Sequence, residues 1–243
     1  LPTFTTNAEW LTGFGAGEYT VTLSKAAGQN NISSNDAARI AQHVAAINTL
    51  TTNNQKVTAD VSDNGTISSN DAALIARHVA GLGAPVGNTS NWRFFVPPGP
   101  TYPAGSSPTN RTYPSVTGNL TGEDYIGLLM GDVTGNWVPG ATRSAERPGK
   151  SIAVAAPHLV TPADNEVAIP ISVKGAANKG IISYEFDLRY DPAVIQPQEV
   201  PVDVAGTASR VLVAVSNAEE QGLLRVVMYG PMPIGGNGVL LNL

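Results

Sequence analysis

Hydrophobic and polar positions divide this chain into two textures. Near the amino terminus, Ala37, Ile40, Ala41 and Val44 recur every three or four residues, as do Ala72, Ile75, Ala76 and Val79. That spacing predicts two amphipathic helices. From residue 151 onwards the period drops to two. Ile182, Tyr184, Phe186, Leu188 and Tyr190 alternate with Ser183, Glu185, Asp187 and Arg189, predicting a half-buried strand. Six such runs follow one another at 151–155, 166–173, 181–190, 210–215, 223–228 and 239–243, with turns and no helix between them. Consecutive strands joined this way predict an antiparallel sandwich. The chain is therefore read as an α+β multidomain protein.

The two helical patterns are copies of each other. Ile-Ser-Ser-Asn-Asp-Ala-Ala-Arg-Ile-Ala-Gln-His-Val-Ala begins at Ile32 and recurs from Ile67 with two substitutions, Arg39 to Leu74 and Gln42 to Arg77. Such identity marks a duplicated unit. In each copy a Ser-Ser-Asn-Asp run offers N-cap oxygens, and the aspartate suits the positive end of the helix dipole. Small alanines predict close packing of the two helices. Gly81, Gly83 and Pro85 end the second.

The second copy carries a candidate metal loop. Oxygen-bearing side chains stand at Asp60, Ser62, Asn64, Ser68 and Asp71, which are positions 1, 3, 5, 9 and 12, with Gly65 at 6 and Ile67 at 8. A hard cation such as Ca²⁺ takes six to eight oxygens, and this alternation turns every second residue inward. The expected ligands are Asp60, Ser62, Asn64, the Thr66 carbonyl, a water near Ser68, and Asp71. Asp63 is expected to point outwards. Two carboxylates with Ser and Asn in the other places fit an extracellular site working at roughly 10⁻⁴–10⁻³ M calcium.

In the first copy the equivalent positions 1 and 3 are Lys25 and Ala27, which cannot ligate a cation. Two readings of Asp36 stay open. It is either a plain helix cap or the end of a split site. In the second reading Asp132, Thr134 and Asn136, half of a metal loop with no second half of its own, fold back to complete a site around Asp36.

Residues 24–83, with these repeats, resemble dockerin modules, paired calcium-loop and helix units of bacterial extracellular assemblies. The resemblance implies a small two-helix calcium module. The first loop departs from the family pattern, and residues that would recognise a cellulosome-type partner are not evident. Residues 84–137 read as a proline-rich covering loop (84–117, with a short strand at 92–96) and a short mixed segment. Residues 138–150 read as a linker. The last segment, 151–243, resembles the first part of a cohesin-type β-sandwich through Val167-Ala-Ile-Pro-Ile-Ser-Val and the run from Lys179 to Ile195. Since a strand is still in progress near Leu243, either the sequence is cut short or the sheet is completed from outside. Residues 1–23, with strand character at 18–24 and an apolar lead of Leu1, Phe4, Trp10, Leu11 and Phe14, are the candidate strand donor.

Composition narrows the function classes. Fourteen Lys+Arg against nineteen Asp+Glu argue against a nucleic-acid surface, and the absence of cysteine excludes disulfides, thiolate metal sites and a cysteine nucleophile. No apolar run reaches bilayer length, and no basic-then-apolar leader stands at Leu1. Abundant Ser, Thr and Asn, with Asn-x-Ser/Thr triplets at Asn31, Asn64, Asn88, Asn110 and Asn119, suit an extracellular or cell-surface protein carrying glycans on Ser, Thr or Asn. No serine-hydrolase elbow, zinc-protease helix, phosphate loop or dinucleotide fingerprint is present. His43 and His78 occupy equivalent helix positions, and the acidic pairs Glu123/Asp124, Glu185/Asp187 and Glu219/Glu220 read as solvated faces. The expectation is a non-enzymatic, calcium-stabilised structural subunit that assembles head-to-tail with copies of itself into a filament. The alternative is a non-polymerising scaffold or adhesion segment of a larger bacterial surface protein.

Overall fold

The computed structural model describes residues 17–118, 120–139, 152–163 and 165–243. The apolar lead in 1–16, the Asn119 triplet and most of the linker at 138–150 lie outside the described residues.

Three helices form the first core. α1 (Ser34–Val44) and α3 (Ser69–Val79) are the two copies and pack against each other, while α2 (Asn53–Ala59) lies between them in sequence. The two-helix expectation is corrected by this third helix. It is only seven residues long and shows too few turns for an apolar period, but Thr52 and Gln55 give it a reciprocal capping box. The repeats begin in the same way: Ser33 with Asp36, and Ser68 with Asp71, each close a capping box at the helix start. Ala37, Ile40, Ala72, Ile75 and Ala76 are buried as the pattern predicts, whereas Val44 is exposed and Ala38 is buried instead. The stripe on α1 is therefore rotated towards the N-terminal end of the helix.

The middle of the chain is more regular than its composition suggests. β2 (Trp92–Phe95) pairs antiparallel with β4 (Ile126–Leu129), bringing Phe95 and Met130 into the helical core. β1 (Gly17–Thr22) pairs with β3 (Asn110–Val116) as a two-stranded ribbon. β3 lies inside the stretch expected to be a loop. Pro114 hides it from a sequence reading, yet it fits because a two-stranded ribbon leaves one edge of each strand free of ladder hydrogen bonds.

The carboxy-terminal segment forms two three-stranded antiparallel sheets. One runs β10 (Gly238–Asn242), β6 (Pro170–Lys174), β5 (Ala153–Ala155). The other runs β7 (Ser183–Arg189), β9 (Leu223–Tyr229), β8 (Val213–Asn217). Ile171, Val173, Leu224, Val226, Met228 and Leu241 fill the space between them. All six predicted strands are present. Ile182, expected on the same face as Tyr184, instead precedes the strand and packs with the helical core. No helix among the described residues is long and apolar enough to cross a membrane.

Candidate functional site

The loop from α2 to α3 is organised by two buried carboxylates. Asp60, at the end of α2, accepts at Oδ1 from the Asn64 amide (3.2 Å) and the Ser62 hydroxyl (3.3 Å), and at Oδ2 from the Gly65 amide (2.9 Å). Asp71, in the first turn of α3, accepts at Oδ1 from the Ser62 amide and at Oδ2 from the Ser68 amide, both at 2.9 Å, with the Ser68 hydroxyl at 3.0 Å. The Thr66 amide donates to Asn64 Oδ1 at 2.8 Å. Gly65 has φ +81°, the left-handed conformation its place in the turn requires. Asp63 points outwards as expected and pairs with Arg93 at 2.8 Å. Ile67 packs on the core beneath.

Two neighbours close this loop. Asn88 donates its amide to the Val61 carbonyl at 2.7 Å, and Gly87 stands so close that a Cβ there would lie 2.5 Å from that oxygen. On the other side Pro103 covers Gly65. The Tyr102 hydroxyl is buried without a hydrogen-bond partner. Its burial, then the charges of Asp60 and Asp71, push its pKa up to about 12. Two buried carboxylates bridged by Ser62, with hydroxyl and carboxamide oxygens at the alternating positions between them, make an all-oxygen donor set that fits calcium.

The split arrangement around Asp36 is also formed. Asp36 Oδ1 accepts from the Thr134 amide (2.9 Å) and hydroxyl (3.0 Å), and its Oδ2 accepts from the Ser33 amide (2.9 Å). Asp132 Oδ1 accepts from the Asn136 amide and Oδ2 from the Trp137 amide, both at 3.1 Å. Each of these amide bonds repeats one in the continuous loop. Asp132 stands for Asp60, Thr134 for Ser62, Asn136 for Asn64 and Asp36 for Asp71. By the repeat alignment Asn31 and Ser33 stand for Thr66 and Ser68, so Asn31 supplies the missing position 7, with φ +64°. Turned with nitrogen towards acceptors, the Asn136 carboxamide donates to Asp132 Oδ1 and the Asn31 carbonyl, both at 3.2 Å. Presenting oxygen instead, that end completes an all-oxygen cluster suited to a hard cation. Sequence reasoning missed Asn31. Aligning the 35-residue repeat through the split loop would have found it.

The electrostatics of the split loop favour a cation. Burial raises the Asp36 carboxyl to about 6 against the amides of Thr134 and Ser33, and the nearby charge of Asp132 adds to the rise. Burial also raises Asp132, opposed by the amides of Trp137, Asn136 and Gly135. The degenerate first loop has taken another shape. The Lys25 ammonium sits 4.1 Å from the Trp92 ring centroid and 4.4 Å from that of Trp137, and the two indoles donate to the carbonyls of Ala27 and Gly28. A residue that cannot ligate calcium thus anchors the strap on which Asn31 is carried.

Comparison with known families places these elements. A Dockerin type I domain model matches residues 27–80, and a Cohesin domain model matches residues 152–243. The chain carries a dockerin module followed by a cohesin domain. Dockerin type I domains are calcium-binding modules, and the two domain types are non-catalytic assembly domains that bind each other. The Asp132–Asn136 half of the split loop lies outside the dockerin match. The chain is similar to a solved type I cohesin–dockerin complex from Clostridium thermocellum, with 18% identity and a TM-score of 0.32 over 38% of this chain and 69% of that one. No curated protein matches.

Proposed function

We propose that this protein is a calcium-stabilised, non-enzymatic extracellular building block that joins head-to-tail with copies of itself into a filament. The observation that supports it is the presence of a dockerin and a cohesin domain, two halves of a binding pair, in one chain. A unit that offers a plug at one end and a socket at the other makes heterologous contacts, and these propagate unless they close into a ring.

Calcium has two places in this reading. Asp60, Ser62, Asn64, the Thr66 carbonyl, Asp71 and a water held near Ser68 would hold one ion. Asp36, Asp132, Thr134, Asn136 and the Asn31 carbonyl would hold the second. When bound, the ion supplies the positive charge that lets buried carboxylates remain ionised. The protein supplies the amide frame that holds them in place. Of the Asn-x-Ser/Thr triplets, those at Asn31 and Asn64 have side chains engaged in the two loops, so Asn88 and Asn110 are the better places for a glycan.

The alternative, a scaffold segment that does not polymerise, has one observation in its favour: the helices α1 and α3 already cover the outer face of the β7–β9–β8 sheet. Sedimentation velocity and negative-stain microscopy of the chain, in calcium and in chelator, separate the two. Head-to-tail assembly predicts oligomers that grow with concentration in calcium. A strict monomer at every concentration overturns it.

A further inference from the structure

The sandwich is open along one side. β7 and β5 are outer strands of their sheets, and among the described residues no strand pairs with their far edges. On β7, Tyr184, Phe186 and Leu188 lie opposite Met228, Val226 and Leu224 and share their face. The β9 residues are buried, whereas the three on β7, with Tyr190 beyond them, are only half-buried. β5 repeats the pattern on the facing sheet. Val154 lies opposite Val173 and shares its face, yet it is 56% exposed where Val173 is 1% exposed. The other side is closed by the chain itself. Asp203 bridges to Asn242 of β10, the Ala208 amide donates to the Val239 carbonyl, and Leu212 then leads into β8. The β7 and β5 edges are thus left together, with an apolar gap between them.

The β7 backbone suits an added strand. The Gly230 amide donates to the Ile182 carbonyl and the Tyr190 amide to the Gly222 carbonyl, so the even-numbered residues bond to β9. The main-chain groups of Ser183, Asp187 and Arg189 point the other way, towards the open side. A strand laid there gains main-chain hydrogen bonds and fills the gap with alternate side chains.

Residues 1–16 have the matching period. Phe4, Ala8, Trp10 and Phe14 fall on one face of an extended strand, and Thr3, Thr5, Asn7 and Glu9 on the other, where Leu1 and Leu11 are the apolar exceptions. Extended, this segment reaches about 53 Å, more than twice the length of seven-residue β7. Its point of departure favours a neighbour. β1 and β3 are mostly exposed along their length. Their ribbon joins the body at its Thr22–Asn110 end, next to Lys25 on Trp92 and to buried Ala104. Gly17 pairs with Val116 at the other end, so residues 1–16 leave from the tip of a projecting ribbon.

We propose that residues 1–16 of a second copy lie along β7 as an added strand and close the open side of the sandwich, with the face bearing Phe4, Trp10 and Phe14 turned into the gap. The proposal rests on the head-to-tail reading and deepens it, adding a strand joint to the dockerin–cohesin pairing. Donating segment and accepting edge are different surfaces, so the contact is heterologous and propagates. It also covers an edge that is otherwise open to non-specific pairing.

The absence of cysteine makes the test direct. Full-length chains carrying T3C, N7C or L11C, donor positions spaced by about 13 Å in a strand, are each mixed in calcium with chains carrying R189C. Arg189 is exposed at the β7 edge. A short thiol-reactive cross-linker is expected to give covalent heterodimers with one or more donors, and fewer with V213C, an exposed position on β8 at the other edge of the sheet. Adding Trp10→Asp to the best donor places a charge in the gap and is expected to lower that yield about tenfold, whereas adding Glu9→Lys leaves it unchanged. Equal yields at R189C and V213C, or no effect of Trp10→Asp, overturn the strand joint. An N7C/R189C chain that links within itself at low concentration, with no heterodimers at high concentration, overturns the second copy as the occupant. If heterodimers are absent while sedimentation of the same samples still shows oligomers, the strand joint falls and the head-to-tail reading survives on the dockerin–cohesin pairing. If only monomers are seen, both readings fall.

Discussion

Asp36 and Asp71 occupy the same place in duplicated sequence, yet their surroundings are assembled differently. Asp71 meets Asp60 across a continuous loop, whereas Asp36 meets Asp132 from almost a hundred residues away, and the same amide-to-carboxylate frame results. Calorimetric titration is therefore expected to give two calcium ions per chain. Asp132→Ala leaves one and Asp71→Ala removes the other. A stoichiometry of one in the unsubstituted chain refutes the split site. The metal-free protein also carries a signature of Asp36. Its carboxyl titrates at about 6 when folded against an ordinary 3.8, so between these values the folded chain holds a proton that the unfolded chain has released. Stability contributed by that proton is present at low pH and is lost as pH rises through about 6. In chelator, the urea midpoint of the native chain minus that of Asp36→Asn is expected to be larger at pH 5 than at pH 7. An unchanged difference contradicts this.

The elements differ in how visibly the sequence announces them. α1 and α3 are legible twice over, by apolar period and by repetition, and the continuous loop follows from seven residues at fixed spacing. β9 could be recognised as a strand but not as one covered on both faces, although its nearly unbroken apolar run, Leu223 to Tyr229 interrupted by Arg225, is what double burial produces. α2 is too short to show a period, and β3 is hidden by Tyr113-Pro114. The partner of Asp36 was legible only as a half-motif, because spacing along the chain is silent about which distant segment folds back. Another element whose importance the sequence conceals is the turn after α3. Gly87, with φ +60°, presses against the Val61 carbonyl at the base of the continuous loop. Gly87→Ala combines a left-handed backbone with a steric clash and is expected to cost about 2 kcal/mol or more, read as a lower denaturation midpoint with weaker calcium binding. The same change at Gly83, where a Cβ meets nothing within 4 Å, is expected to be nearly neutral.

For the whole molecule, two cores share one wall. The β7–β9–β8 sheet closes the sandwich with one face and supports the helices with the other, so any order that calcium adds to the helical half would be transmitted to the sheet. Chelation is expected to lower the thermal midpoint of the full chain and to raise amide exchange in β9 as well as in α1 and α3. Hydrogen exchange confined to the two loops would mean that the halves are uncoupled. Val227→Asp places an unpaired charge against the helices and is expected to loosen them from the sheet. The substituted residue points away from Val226 and Met228, so the sandwich keeps its own packing, and amide exchange in β6 and β10 can follow it apart from the helices.

The split loop has a consequence for the topology of the chain. Asp36 and Asp132 bracket nearly everything between α1 and β4, and an ion shared by them would tie that whole stretch into a closed ring. A clasp over so long a segment restricts the unfolded ensemble in the way a cystine bridge does, by several kcal/mol in the chain-entropy picture. In a polypeptide with no sulfur available for the purpose, dissolved calcium would act as the fastener, and local ion activity would decide whether the ring is shut.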